Sequence, residues 1–137
     1  MENKVSGVTF ILINKSGQIL LQFRDQYSKH YQDMWCFPGG RLESNEKPLQ
    51  ALLREVKEEF NIILDSDKCT ELMRHDLPYG ESVLVFVCKV AQDQLAELHE
   101  GKAMRWFEMD DIKNTELGFE QNKVVVPILE KFLKNNK

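Results

Sequence analysis

Three glutamates on one predicted helix have the spacing of a divalent-cation site. Glu55, Glu58 and Glu59 are related as i, i+3 and i+4, so at 100° per residue they share one arc. Each like-charge pair at this spacing opposes the helix by roughly 0.2–0.5 kcal/mol, and Lys57 points away from the arc. Clustered carboxylate oxygens are hard ligands that suit Mg²⁺ or Mn²⁺. An acidic face in contact with solvent is the alternative, and these residues alone leave both open.

The helix that carries the acids is predicted over residues 48–60. Pro48 suits its first position, where a missing N–H leaves nothing unpaired. Ala51 lies within the acidic arc and is small enough to let another group approach closely. The apolar positions share a neighbouring arc that we expect to be buried: Leu49, Leu52, Leu53, Val56 and Phe60.

A glycine pair precedes the helix. Gly39 and Gly40 follow Pro38, and paired glycines permit backbone conformations that are closed to other residues. We therefore expect a carbonyl group here to turn toward a bound ion. The fixed distance between this pair and the acidic helix favours the cation over a merely solvated face.

The spacing of these residues resembles the signature box of the Nudix hydrolase superfamily. Gly40, five residues, Glu46, seven residues and then residues 54–59 match G-x5-E-x7-R-E-U-x-E-E-x-G-U, where U is aliphatic. The box runs from Gly40 to Ile62, and Asn61 stands where the family has its last glycine. Asparagine tolerates the left-handed conformation that closes a helix, so we expect the turn to be kept.

The resemblance implies a fold and an activity. The fold would be the Nudix-type α/β/α sandwich with a mixed sheet, within the α/β class. The activity would be Mg²⁺- or Mn²⁺-dependent hydrolysis of a phosphoanhydride bond in a nucleoside diphosphate linked to another group X. A small domain with a short lead-in loop favours a (d)NTP pyrophosphohydrolase, by analogy with family members that clean the nucleotide pool.

Three alternatives share this fold. One is a pyrophosphatase of the nucleotide-sugar or ADP-ribose type. Another is isopentenyl diphosphate isomerase, which needs a cysteine and glutamate pair across the cleft that nothing in the sequence marks. The third is a non-catalytic nucleotide-sensing module, against which the intact Glu55, Glu58 and Glu59 argue.

The same resemblance implies metal ligands within the box. Glu58 and Glu59 would bind the metal, and Glu55 would bind it or orient the attacking water. Gly39 would offer its carbonyl oxygen to the ion.

Other residues would support the metal ligands or add to them. Arg54 would hold Glu55 or Glu58 for catalysis, while Gly40 and Glu46 would be structural. Glu100 resembles the place where some family members put an additional catalytic or metal-binding glutamate, and Glu97 is its rival.

Substrate-binding candidates lie upstream of the box. Arg24 follows an apolar strand, where an arginine contacts phosphate or base or forms a surface ion pair. Tyr27 and Tyr31 are candidates for stacking on a nucleobase. We expect His30 to flank the cleft and Cys36 to be an unreactive buried residue.

Composition limits the remaining possibilities. The 137 residues suit one domain over 1–137, and the net charge of −4 argues against general nucleic-acid binding. No apolar run approaches the roughly 20 residues of a membrane helix. The cysteines at positions 36, 69 and 88 form no CxxC pair, which predicts a reduced, cytoplasmic protein. The expected partner is a small nucleotide-type substrate, and a homodimer is a family-level expectation.

Periodicity and turn residues predict the other elements. Strands are predicted over residues 5–13, 18–23, 70–77, 82–90 and 105–107. A closing helix is predicted over residues 120–133, with a kink at Pro127.

Overall fold

A mixed sheet forms the centre of the protein. The computed structural model describes residues 4–24, 29–91 and 103–136, and in these the sheet has seven strands. They are β1 (Val5–Ile13), β2 (Ile19–Arg24), β3 (Met34–Cys36), β4 (Gly39–Arg41), β5 (Cys69–Asp76), β6 (Ser82–Lys89) and β7 (Ala103–Phe107). The order is β3-β2-β1-β6-β5, with β4 beside β1 and β7 beside β2. β1 and β6 are parallel and the other pairs are antiparallel, which confirms an α/β fold with a mixed sheet.

Helices cover both faces of the sheet. They are α1 (Pro48–Phe60) on one face, and α2 (Met109–Lys113), α3 (Gln121–Val124) and α4 (Val126–Asn135) on the other. Successive side chains of a strand point to opposite faces, so Phe10 of β1 packs with α1 while Ile11 packs with α4. The predicted three-layer sandwich is confirmed. None of these helices has the length and apolar character that crossing a bilayer requires.

The predicted elements agree with the structure to within two residues at most boundaries. The helix over 48–60 has the predicted bounds, β5 is shifted by one residue at both ends, and β6 ends one residue earlier than predicted. The closing helix is broken as expected, because Pro127 sits in the first turn of α4, where no N–H is needed. The short elements β3, β4 and α2 were not predicted, since three to five residues carry little periodic signal.

The buried face of α1 differs from the predicted stripe. Leu49 is 39% exposed, so its predicted burial is wrong. Ala51 is fully buried in the core, so the groups that approach this small side chain are core residues. α1 packs against β1 and β4 on a face that includes Ala51 and Val56. The helix is therefore rotated so that the edge of the acidic arc, at Glu55, lies next to the core.

Both ends of α1 are capped by local hydrogen bonds. The backbone N–H of Lys47 donates to Oε1 of Gln50 at 2.9 Å, which explains how a lysine can precede the helix. Asn61 ends the helix in the left-handed conformation, with φ 54° and ψ 37°, as predicted from its place in the box. Its N–H donates to the Lys57 carbonyl oxygen at 3.0 Å, so the turn that a glycine would form is kept.

His75 of β5 is a buried histidine without a partner for one ring nitrogen. The residue is 2% exposed, and Nδ1 has no hydrogen-bond partner in the part of the chain that the structure describes. Burial lowers the pKa of His75, and the nearby carboxylates of Asp76 and Glu120 act weakly in the opposite direction. The imidazole is therefore neutral in the folded protein near pH 7.

We expect His75 to make stability depend on pH. The unfolded chain binds a proton at His75 near the ordinary pKa of about 6.5, whereas the folded chain binds it only at lower pH. The free energy of unfolding should therefore fall as pH decreases below about 6.5. Urea unfolding of His75→Leu should lose this dependence, whereas His30→Leu, a change outside the core, should retain it. Identical pH profiles for wild type and His75→Leu would contradict the assignment.

Candidate active site

Arg54 gathers the acidic side chains around one guanidinium group. Its Nε and one terminal nitrogen donate to the two oxygens of Glu46, each at 2.8 Å. The other terminal nitrogen donates to Glu55 at 2.8 Å and to Glu58 at 3.3 Å. A fifth bond, of 3.0 Å, reaches the carbonyl oxygen of Arg41 in β4. The five N–H donors of the guanidinium therefore have five acceptors.

The strongest of these contacts is the bidentate pair with Glu46. Hydrogen bonds from Arg54 lower the pKa of Glu46 to about 2, and the same pairing raises the pKa of Arg54. Glu46 also accepts the backbone N–H of Glu43 at 2.9 Å, which orients its carboxylate. Glu46 thus ties the loop before α1 to the helix and leaves one terminal nitrogen of Arg54 for the acids of the arc.

Glu55 lies inward, against β4. Its side chain is 14% exposed, whereas that of Glu58, on the same arc, is 60% exposed. Burial raises the pKa of Glu55, and the hydrogen bond from Arg54 reduces this effect without cancelling it. The negative charges of Glu59 and Glu58 raise it further. The positive charge of Arg54 therefore does not fully offset the effect of burial on the pKa of Glu55.

The two glycines of β4 allow this close approach. A Cβ on Gly40 would lie 2.3 Å from Cδ of Glu55, so the carboxylate occupies the space of the missing side chain. A Cβ on Gly39 would lie 2.4 Å from the carbonyl oxygen of Val8 in β1. Neither glycine has a positive φ, and both pair with β1 as an ordinary strand. The expectation of an unusual backbone conformation here is wrong. The glycines instead permit close contact of β4 with the Glu55 side chain and with the backbone of β1.

A cavity of about 600 Å³ borders β4. Gly39, Gly40 and Arg41 form part of its wall, as do Arg24 of β2 and the turn that joins β5 to β6. Arg24 also donates from Nε to the His30 carbonyl oxygen at 2.8 Å. Gly40 therefore borders both the cavity and the Glu55 carboxylate.

Aromatic residues from three loops lie at the cavity. His30 stacks on Tyr79 with ring centroids 4.5 Å apart, and both line the cavity. Phe119 lines it too, with the Arg24 guanidinium 4.8 Å above its ring and Tyr31 at 4.7 Å. Phe119 and Tyr31 both have positive φ, 60° and 54°, which is strained for such side chains. Strain of this kind persists where the surrounding structure requires a fixed side-chain position.

Gln121 is a cavity residue that the sequence did not indicate. It is 2% exposed, and its Oε1 accepts the backbone N–H of Phe37 at 2.8 Å. This bond leaves the amide NH₂ as the donor end of a side chain in the cavity wall. The two partners are 84 residues apart in the chain, so no local pattern could reveal the contact.

The structure brings some of the predicted site residues together and does not describe others. Glu55, Glu58, Arg54 and Glu46 meet at the guanidinium, and Gly39 and Arg24 line the cavity. Tyr31 contacts the cavity wall through Phe119. Three predicted residues lie outside the described ranges: Tyr27, Glu97 and Glu100.

The residues of the arc fit a divalent cation in their chemistry. Their oxygens are hard donors, and the raised pKa of the Glu55 carboxyl indicates that added positive charge would be favourable there. Within the described residues, no group of three His, Cys, Asp or Glu side chains already converges as a cation site. Glu58, the most exposed acid of the Arg54 cluster after Glu43, has the freedom to turn toward an ion beside Glu55.

Comparisons with known proteins agree with the resemblance of the sequence to the Nudix family. The model of the NUDIX domain matches residues 3–127. An 8-oxo-dGTP diphosphatase of Proteus vulgaris is 41% identical over 78 residues, which cover 56% of this chain and 67% of that protein. One of Haemophilus influenzae is 31% identical over 111 residues, 79% of each chain. A solved MutT protein from Methanosarcina mazei covers 99% of this chain and 97% of its own at TM-score 0.70 and 22% identity, which shows the fold.

The two glycines of β4 should respond differently to alanine. In Gly40→Ala the new methyl group meets a flexible carboxylate, so the protein should fold while the Glu55 side chain is displaced. In Gly39→Ala it meets backbone, so β4 must move from β1, at a cost on the order of 1–3 kcal/mol. Urea unfolding should therefore detect mainly Gly39→Ala, and binding of Mn²⁺ should weaken in Gly40→Ala at nearly unchanged stability. Equal destabilisation by both substitutions would contradict this account.

Proposed function

This chain belongs to the NUDIX family and is a nucleotide pyrophosphohydrolase, and we propose that its substrate is a nucleoside or deoxynucleoside triphosphate. Hydrolysis would break the bond between the first and second phosphates and release a nucleoside monophosphate and pyrophosphate. The observation that supports this most directly is the position of Gly40, which touches the Glu55 carboxylate and also lines the cavity.

The family and the acidic arc support the proposal that the reaction needs a divalent metal. Nudix enzymes generally depend on a divalent metal, and we propose Mg²⁺, or Mn²⁺ in its place, held by Glu55, Glu58 and Glu59 with the Gly39 carbonyl. When bound, such an ion neutralises phosphoryl oxygens and lowers the pKa of its water. Glu100 remains our proposal for a further carboxylate, with Glu97 as its rival.

We propose that Glu55 accepts a proton from the attacking water and that Arg54 orients the Glu55 carboxylate. Glu55 lies beside the cavity wall, and burial raises the pKa of its carboxyl group, which makes the carboxylate a better proton acceptor. Arg54 holds one oxygen of this carboxylate at 2.8 Å and leaves the other for water or metal. Glu46 acts through Arg54, because its bidentate pair prevents the guanidinium from turning.

The cavity has groups for both ends of a nucleotide. Arg24 and Arg41 line it and would contact phosphate oxygens, although Arg41 also pairs with Glu81 at 2.9 Å. Phe119 offers an aromatic surface for a base, which stacks on such faces with little selectivity. The amide NH₂ of Gln121 would donate to a base carbonyl oxygen.

We propose that the protein acts on small nucleotides in the cytoplasm. Its three cysteines, all within the described residues, form no disulfide, as expected in a reducing compartment. The formal charge of −4 gives no general attraction for polynucleotides, so the basic groups of the cavity would serve the phosphates of a single nucleotide.

Removing one charge from the acidic arc should stop the reaction without unfolding the protein. Glu58→Gln or Glu59→Gln should lower turnover by about 100-fold or more, because each removes a proposed metal ligand. In metal-free buffer the free energy of unfolding should stay equal or rise, since repulsion along the arc is relieved. Glu71→Gln, on the exposed side of β5, is the matched control and should keep wild-type turnover. Loss of fold or unchanged turnover in the arc variants would refute the assignment.

A substrate panel would test the proposed reaction directly. The protein would be incubated with Mg²⁺ and dNTPs, NTPs, 8-oxo-dGTP, a nucleotide sugar or ADP-ribose, and the products separated by anion exchange. The oxidised nucleotide is included because two relatives are named 8-oxo-dGTP diphosphatases. We expect a monophosphate and pyrophosphate from a triphosphate, and about 100-fold less of both, or lower still, from Glu58→Gln. Preferred release of a phosphosugar would instead favour the nucleotide-sugar or ADP-ribose type.

A further inference from the structure

Two cysteines lie directly opposite each other at the open end of one hairpin. Cys69 begins β5 and Cys88 is the penultimate residue of β6, and the antiparallel register pairs their Cα atoms. Opposite residues in such a pair have their side chains on the same face and Cα atoms about 4.5 or 5.5 Å apart. Both separations lie within the range of roughly 4.4–6.8 Å that a disulfide spans.

The two thiols have different surroundings. Cys88 is fully buried in the core beneath α1, whereas Cys69 is partly exposed at the edge of the same cluster. A hydrogen bond between the two thiols lowers the pKa of Cys69 and raises the pKa of Cys88. Cys69 also contacts the Asp65 carbonyl oxygen at 3.5 Å. The accessible thiol is thus the more acidic one, and the buried thiol is beside it.

We propose that Cys69 and Cys88 are a redox site that hydrogen peroxide converts reversibly to an intrachain disulfide. The Cys69 thiolate attacks one oxygen of hydrogen peroxide, and the O–O bond breaks, which leaves Cys69 as a sulfenic acid. The departing hydroxide takes up the proton that the Cys69 thiol lost and leaves as the first water. The Cys88 sulfur then attacks the Cys69 sulfur, its proton goes to the departing hydroxyl, and the second water is released. Two thiols lose two electrons in total, and one hydrogen peroxide gains them. A dithiol reductant reverses the change.

The disulfide would fix the base of a hairpin whose tip borders the cavity. The crosslink encloses residues 70–87, and these include the turn in which Tyr79 and Glu81 line the cavity. Closing this loop in the unfolded chain reduces its conformational freedom, so the oxidised protein should be the more stable form. The bridge itself lies at the opposite end of the hairpin from the cavity.

Peptide mapping would test the site. Trypsin cleaves after Lys68, Arg74 and Lys89, so the two cysteines fall in separate peptides, 69–74 and 75–89. After treatment of the intact protein with hydrogen peroxide, we expect these peptides to be linked, with a loss of about 2 Da corresponding to two hydrogens. Dithiothreitol should separate them. Thiol titration of the unfolded, oxidised protein should find one remaining thiol of three, that of Cys36.

Substitutions make the test specific. Cys69→Ser, at a partly exposed position, should fold and form no linked peptide, whereas Cys36→Ser should link 69–74 to 75–89 as wild type does. The melting temperature of oxidised wild type should exceed that of the reduced form by several degrees, and peroxide should give Cys69→Ser no such increase. Sulfinic acid at Cys69 without a link, a link between two chains, or a link through Cys36 would each overturn the proposal.

Discussion

The rest of the site depends on one partly buried arginine, Arg54. Carboxylates crowded on one helical arc repel one another, and Arg54 offsets that repulsion with five hydrogen bonds to Glu46, Glu55, Glu58 and the Arg41 backbone. A lysine could not replace it, because a compact ammonium has three donors and cannot bind Glu46 in a planar, bidentate way. The same group joins the loop before α1, the helix and β4. Arg54 thereby orients the acids and also fixes their distance from the sheet.

The close approach between α1 and β4 places the Glu55 carboxylate beside the wall of the cavity. The helix presents Ala51 to the core and Glu55 to Gly40, so the smallest side chains lie where the two elements are nearest. One result is a carboxylate held partly out of water, with a pKa raised by burial despite its arginine partner. Added positive charge beside Glu55 would therefore be favourable. The burial of Glu55 against the sheet contributes more to this than the neighbouring acids do.

The two ends of the β5–β6 hairpin have different chemistry. Its tip, with Tyr79 and Glu81, borders the cavity and contacts His30 and Arg41, which belong to other parts of the chain. Its base holds Cys69 and Cys88 opposite each other. β6 lies beside β1, which also pairs with β4, so the sheet joins the hairpin to the strand that carries the glycines.

Local sequence determined those features that depend on neighbouring residues. The bounds of α1, its left-handed end at Asn61 and the arc of Glu55, Glu58 and Glu59 follow from helical periodicity and capping. Tertiary structure alone decided which face of α1 is buried, because periodicity gives angles between side chains but not the direction of the sheet. It also decided that Gly39 and Gly40 permit close contact, and that Gln121 meets Phe37. These contacts join residues far apart in the chain, and only the packing of the whole sheet brings them together.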